Sequence, residues 1–262
     1  MNNHATKHNS HENYSPKMVK KLLPWMIAVA LQPSLAQALE ATALPTNGQV
    51  TAGAAAIAQN AGNMTINQST QNVFINWDTF NVGAQASVNF VQPSASAMAI
   101  NQVVTQSASQ IAGQINANGQ VVLLNPAGVV VTNGAVINAG SFVAAGQSGH
   151  NAEITDGQLR FMNTDKGGSV INQGQINAKE GGYVALVGAT VNNSGQITAP
   201  GGTVALAAGQ EVRLEITGNS LVGVKVDGAA VNASIDNSGI IAADGGKVII
   251  NSKQAAGALG AA

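Results

Sequence analysis

Three stretches of the C-terminal half superimpose residue by residue, and this repetition limits the fold more than any other feature of the chain. Val170-Ile171-Asn172-Gln173-Gly174-Gln175-Ile176-Asn177-Ala178 runs into Gly181-Gly182-Tyr183-Val184-Ala185-Leu186. Val191-Asn192-Asn193-Ser194-Gly195-Gln196-Ile197-Thr198-Ala199 runs into Gly201-Gly202-Thr203-Val204-Ala205-Leu206. Ile235-Asp236-Asn237-Ser238-Gly239-Ile240-Ile241-Ala242-Ala243 runs into Gly245-Gly246-Lys247-Val248-Ile249-Ile250. Asn172 and Asn193 lie 21 residues apart, and Asn193 and Asn237 lie 44 apart, which reads as two periods with one divergent coil between them. A fixed period of this size marks a solenoid, and it is too short for helical repeats, which need more than about 30 residues. Apolar residues alternate over short runs, as in Ile176-x-Ala178 and Val184-x-Leu186, with Gly-Gly at the corners, so the elements are strands. The expected fold is all-β, a right-handed parallel β-helix over Asn67 to Ser252 with an N-terminal β cap from Leu44 to Ile66. Coils stacked about 4.8 Å apart place Ile176, Ile197 and Ile241 inside. They also bring Asn172, Asn193 and Asn237 into register as an amide ladder.

Composition agrees and excludes much else. Charged residues are 9% of the chain, against about a quarter in ordinary soluble domains. Neutral amides take their place, with 28 Asn and 20 Gln. Hydrophobic residues at 45% exclude plain disorder. The absence of Cys excludes disulfides, thiol catalysis and Cys-based metal sites. A net charge of −1 offers no electrostatic footprint for nucleic acid.

The N-terminus has the layout of a secretory signal peptide. Lys17, Lys20 and Lys21 precede an apolar run from Leu22 to Leu31, and Ala36-Gln37-Ala38 supplies the small-x-small cleavage site. The run is too short to span a bilayer, which takes about 20 residues. Cleavage is expected after Ala38, with Met18 as an alternative start. Residues 1–38 are therefore read as the leader, and the chain beyond it carries seven basic and eleven acidic groups.

Few residues offer catalytic chemistry. His150 is the only His beyond the leader and sits in a Gly-rich loop, Gly146 to Gly149. Asp156, Asp165, Asp227, Asp236 and Asp244 are scattered, mostly beside Gly, and read as turn residues rather than paired carboxylates. Glu211, Arg213 and Glu215 alternate on one strand face and read as an exposed, salt-bridged surface. No enzymatic activity and no cofactor or metal are expected.

The N-terminal half is more specific. Val73, Ile75 and Trp77 share one strand face while Phe80 and Val82 have the opposite parity, so Asp78-Thr79 must be a bulge or corner. Asn125-Pro126-Ala127-Gly128 has the chemistry of a type I turn: Asn caps its own backbone, Pro fixes φ, and Gly tolerates the exit. Asn133-Gly134 fits either a hairpin or a coil corner. Further motifs occur in order: Met64-Thr65-Ile66-Asn67-Gln68-Ser69, Val88-Asn89-Phe90-Val91-Gln92-Pro93-Ser94, Ala99-Ile100-Asn101-Gln102-Val103, and Ile111-Ala112-Gly113-Gln114-Ile115-Asn116.

Taken together, these motifs from Leu44 to Gly146 resemble the N-terminal domain of the filamentous haemagglutinin family, large adhesins exported by two-partner secretion. The family's Asn-Pro-Asn-Gly reads Asn-Pro-Ala127-Gly here, its Asn-Arg-Val reads Asn101-Gln102-Val103, and its Asn-Pro-Asn-Leu motif is absent. The resemblance implies a non-enzymatic exported module on the surface of, or secreted from, a Gram-negative bacterium. A dedicated outer-membrane transporter would recognise it after passage through the periplasm, and it would fold outside. A host-cell surface or glycan is the expected further partner, with no nucleic acid. Asn125, Pro126 and Gly128, supported by Asn67, Gln68 and Asn101, are the expected recognition and folding motif. The expected layout is a secretion domain over 39–165, repeat coils over 166–254, and a tail over 255–262, with the chain either a fragment truncated there or a genuinely short member. The alternatives are the front end of a contact-dependent toxin and a carbohydrate-active β-helix enzyme.

Overall fold

The computed structural model describes residues 38–147, 158–162, 167–230 and 232–254, together with Met1. The leader through Gln37, the His150 loop with Asp156, Asp165, and the tail 255–262 lie outside the described residues.

Each coil contributes up to three strands, one per face. β1 (Gln49–Ala52) and β2 (Ala55–Asn60) form the cap. Then β3 (Asn63–Gln68) and β4 (Asn72–Trp77) begin the stack. The next coils are β5 (Ser87–Val91), β6 (Met98–Val103), β7 (Ser109–Ile111), and β8 (Gln114–Ala117), β9 (Gln120–Leu124), β10 (Val129–Val131). After β11 (Val136–Ala139) and β12 (Ser141–Ala145) the chain leaves the stack through β13 (Gln158–Met162) and returns as β14 (Ser169–Asn172). A full coil follows, β15 (Gln175–Ala178), β16 (Tyr183–Gly188), β17 (Thr190–Asn193). β18 (Gln196–Thr198) and β19 (Thr203–Ala208) lead into a second excursion, β20 (Glu211–Thr217) and β21 (Ser220–Gly228). β22 (Ser234–Asn237), β23 (Ile240–Ala242) and β24 (Lys247–Ser252) close the described stack.

The result is a right-handed parallel β-helix. Its first face is β3-β5-β8-β11-β15-β18-β23, its second β4-β6-β9-β12-β16-β19-β24, and its third β7-β10-β14-β17-β22. The stack runs without a break across residue 165, with β11 on β15, β12 on β16 and β10 on β14. Alternating residues fill the interior: Ile176 pairs with Ile197 and Ile197 with Ile241, the first two fully enclosed and the third packed against them. The Asn172–Asn193–Asn237 register is also found, with amide-to-amide hydrogen bonds of 2.8 and 2.7 Å. Asn133-Gly134 is a coil corner, since β10 and β11 belong to different sheets.

Two expectations need correction. β2 pairs antiparallel with β3, and β1 with β4, so both cap strands precede Asn63 and β3 already belongs to the parallel stack. Nor does a divergent coil separate Asn193 from Asn237: β17, β18 and β19 pair directly with β22, β23 and β24. The additional residues leave the stack as the β20–β21 hairpin, which pairs antiparallel with β13. The physical reason is amphipathicity. Val212, Leu214 and Ile216 bury themselves on the outer side of the second face, while Glu211, Arg213 and Glu215 point away.

That outward surface is salt-bridged. Glu211 pairs with Arg160 at 2.6 Å, and Asp227 pairs with Arg213 at 3.2 Å and Lys225 at 3.0 Å. The hydrogen bond from Lys225 holds the Asp227 carboxyl below its ordinary range, with the charges of Lys225, Arg213 and Lys253 adding to it. This contribution is present above the ordinary carboxylate pKa and is lost as pH falls through the lowered native value.

The cap carries a strained turn. Asn60 pairs with Asn63, so Ala61 and Gly62 form a two-residue hairpin turn with φ of 45° and 83°. Turns of this kind favour Asn-Gly, and an alanine in the left-handed region costs about 1–2 kcal/mol. Ala61→Asn is expected to raise stability by about 0.5–1 kcal/mol. Urea unfolding checks it, and a lowered midpoint would show that the turn is not under strain.

Candidate functional site

The residues singled out in the N-terminal half lie at the corners and in the interior of the first coils, in three separate hydrogen-bond networks. Asn125 follows β9 and is fully enclosed. Its Oδ1 accepts from the Ala127 N–H at 2.9 Å, and its carbonyl accepts from the Gly128 N–H at 2.8 Å, which closes the turn. Its Nδ2 donates to the Ser107 carbonyl and to Ser109 Oγ, both at 2.9 Å. Asn125 thus ties its own turn to the preceding coil. Gly128 has φ of 110°, and a Cβ there would meet the Ser169 carbonyl at 2.7 Å, so the next coil also requires glycine. Pro126 and Ala127 are half-buried.

Asn101 sits on the inward parity of β6 and is fully enclosed. It is a polar side chain inside an apolar core, which is costly unless paired. Trp77 Nε1 donates to its Oδ1 at 3.0 Å, and its Nδ2 donates to the Ala99 and Val122 carbonyls at 3.2 and 3.3 Å. Trp77 also meets Phe80 edge-on, with centroids 5.6 Å apart and planes at 89°. Asp78 accepts a hydrogen bond from Asn47 and thereby joins the corner to the residues that precede the cap strands.

Gln68 opens the third network. Its Nε2 donates to the Thr70, Gln71 and Met98 carbonyls. Gln92 Nε2 donates to Gln68 Oε1 at 3.1 Å and to the Ala97 and Gln120 carbonyls. Gln120 Oε1 accepts from the Tyr183 hydroxyl at 2.7 Å. Burial pushes that hydroxyl far above its ordinary range, so it remains a donor at every pH of interest. Gln92, Gln120 and Tyr183 were not singled out from the sequence. The available signal was a Gln ending the first-face strand or its extension in consecutive coils, 24 residues apart at Gln68 and Gln92. Asn67, by contrast, is exposed on β3.

Four of the six singled-out motif residues, Gln68, Asn101, Asn125 and Gly128, are therefore enclosed, and a partner can touch their side chains or backbone only before the coils close. Asn67, Pro126 and Ala127 remain accessible afterwards. Enclosure also raises the expected cost of Asn125→Ala. Simple loss of a cap costs about 0.5–2 kcal/mol, whereas here the buried Ser109 hydroxyl also loses a partner, at about 1–3 kcal/mol, alongside the partly buried Ser107 carbonyl and Ala127 N–H. Ala38, at the expected cleavage point, is exposed, and Ala36 lies outside the described residues. Among the described residues no group of His, Asp or Glu side chains is placed to hold a metal ion. An open cleft beside the cap is lined by Thr42, Pro45, Asn47, Gln59 and Asn60, which are neutral groups without a nucleophile–base pair.

The comparisons with known proteins agree with this architecture. Part of the chain is 36% identical over 188 residues to the heme/hemopexin-binding protein of Haemophilus influenzae strain Rd, covering 68% of this chain and 20% of that protein. A second Haemophilus influenzae heme/hemopexin-binding protein is 33% identical over 114 residues, covering 44% of this chain and 12% of that protein. The chain therefore spans a fifth or less of the length of these relatives. The crystal structure of the HMW1 secretion domain from Haemophilus influenzae superimposes with a TM-score of 0.73 at 29% identity, covering 79% of this chain and 57% of that one. The TPS secretion domain profile matches residues 36–262, and with the capped, uninterrupted parallel β-helix this establishes that the chain belongs to the TPS secretion domain family, the secretion domains of exported two-partner secretion proteins.

Proposed function

We propose that this chain is a non-enzymatic recognition and folding module. After removal of the leader at Ala38, an outer-membrane transporter takes it unfolded from the periplasm, and it folds outside into the β-helix, heading an adhesin-type surface protein. One observation carries the reading: the motif residues Gln68, Asn101 and Asn125 are sealed inside the folded coils. A transporter that reads them must do so before folding. Low charge and the absence of Cys suit passage of an extended chain, and each coil then adds to the one before it.

The test is binding of the chain to the periplasmic domains of a two-partner transporter, in urea-unfolded and prefolded form. Tight binding of the unfolded chain alone is the expected result, and equal binding of the folded chain defeats the proposal. Substitutions separate the two roles. Asn67→Ala, at an exposed position, should change stability by no more than about 0.5 kcal/mol, so any loss of secretion reports recognition. Asn125→Ala should lower both stability and secretion.

The identity to heme/hemopexin-binding proteins favours a second reading, an exported protein that captures heme or hemopexin rather than one that adheres. A heme titration of the secreted chain, read by absorbance, distinguishes them. A saturable one-to-one band would support capture.

A further inference from the structure

The second face of the β-helix is covered on both sides. Its inward residues, such as Val121, Leu123, Phe142 and Leu186, belong to the core inside the coils. Its outward residues, including Ile100, Val122, Leu124, Val143 and Tyr183, form a second, separate apolar cluster roofed by β13, β20 and β21. The two clusters share strands but no side chains, so the inner core is complete without the roof.

The roof is also tied down over long sequence distances. At its tip, the Gly218 carbonyl accepts from Gln120 Nε2 at 2.8 Å, a separation of 98 residues, and the Asn219 carbonyl accepts from Ser141 Oγ across 78 residues. Nearer in sequence, the Leu221 carbonyl accepts from Thr203 Oγ1 across 18 residues, and within the roof Arg160 of β13 reaches Glu211 of β20 across 51 residues. The hairpin therefore straddles four coils, touching residues of or beside β9, β12, β16 and β19. Coil-to-coil bonds without an intervening excursion, by contrast, close separations such as 21 and 22 residues. Shorter loops close at lower entropic cost and faster.

We propose that β13, β20 and β21 form a late-closing clamp. The coils zip up first by neighbour addition and leave the outer side of the second face bare. β13 waits until β20 and β21 are available, and the three strands then close over that face and lock four coils together. The unroofed intermediate exposes a contiguous apolar surface of a kind that folded monomers rarely leave open. This inference concerns the folding of the chain alone and does not depend on the transporter.

Refolding of the full chain from urea, followed by pulsed hydrogen exchange, tests it. Amides of β6, β9, β12 and β16 are expected to gain protection before those of β13, β20 and β21, with transient binding of the dye ANS between the two events. Simultaneous protection, or protection of the clamp first, overturns the proposal. At equilibrium, the double substitution Val212→Asp and Leu214→Asp is expected to keep the far-ultraviolet strand signal while ANS fluorescence rises several-fold and the β20–β21 hairpin becomes protease-sensitive. Loss of the strand signal would show that the coils cannot stand without the clamp, and unchanged ANS binding would show that it covers nothing. Either result overturns the inference.

Discussion

Replacing Gly202 with alanine is expected to destabilise the protein by about 3–5 kcal/mol, in the range of the most damaging single substitutions. The repeat carries glycine in pairs, and the two members serve different ends. Gly181, Gly201 and Gly245 have φ of 73°, 61° and 70° and make the left-handed corner. Gly182, Gly202 and Gly246 form a column in which a Cβ on each would fall inside the carbonyl of the glycine one coil before it, Gly140, Gly182 and Gly202 respectively. Alanine at 202 must push the coils apart just where the Thr203 N–H donates to the Gly182 carbonyl at 3.1 Å. Overpacking of this kind costs about 1–3 kcal/mol before the broken ladder is counted. Gly201→Ala meets no such obstruction and should cost only the left-handed strain, about 1–2 kcal/mol. Urea unfolding of the pair decides the matter. A Gly202→Ala protein as stable as Gly201→Ala would show that the second glycine is not there for close stacking.

Trp77→Ala should cost about 3–5 kcal/mol, the usual range for truncating a buried aromatic residue. Trp77 is almost wholly enclosed and packs against Phe80. Its ring also lies so close beneath Gly48 that a Cβ there would overlap it. It therefore joins the residues leading into the cap to the first coils, and its loss should loosen both. The indole N–H adds a polar component. Trp77→Phe keeps most of the bulk but leaves the Asn101 Oδ1 without its donor, at about 1–3 kcal/mol. In a double-mutant cycle with Asn101→Leu, the penalty for losing the pair should be smaller than the sum of the single penalties, because the indole donor and the Asn101 Oδ1 acceptor are then removed together and neither is left waiting for the other. Strict additivity would show that the Trp77–Asn101 bond contributes nothing of its own.

The candidate site was only partly legible in the sequence. The Asn-Pro-x-Gly turn was readable because Asn, Pro and Gly each specify local backbone geometry. That Asn125 also spends its amide on Ser107 and Ser109 was not, since those partners belong to another coil. Asn101 looked like one more polar motif residue. Its inward position follows from the parity of β6, but its partner, Trp77, is 24 residues away and no local pattern names it. Gln92, Gln120 and Tyr183 escaped for the same reason: neutral amides are so common in this chain that no single one stands out until its neighbours are in place.

What the sequence determined by itself is the coil. A period near 21 residues, alternating aliphatic positions, paired glycines and an Asn at each repeat are local or nearest-neighbour properties, and stacking identical units satisfies them in only one way. The register of Asn172, Asn193 and Asn237 followed from that alone. The path of the chain from Asn193 to Asn237, 44 positions on, is set by tertiary packing alone. Read along the chain, they fit two periods as well as one coil with an insertion, because amphipathic strands such as Glu211–Thr217 satisfy either. The choice rests on the outer side of the second face, whose Ile100, Val122, Val143 and Tyr183 come from four different coils. That apolar surface exists only once the coils are stacked, and only then is there something for β13, β20 and β21 to cover.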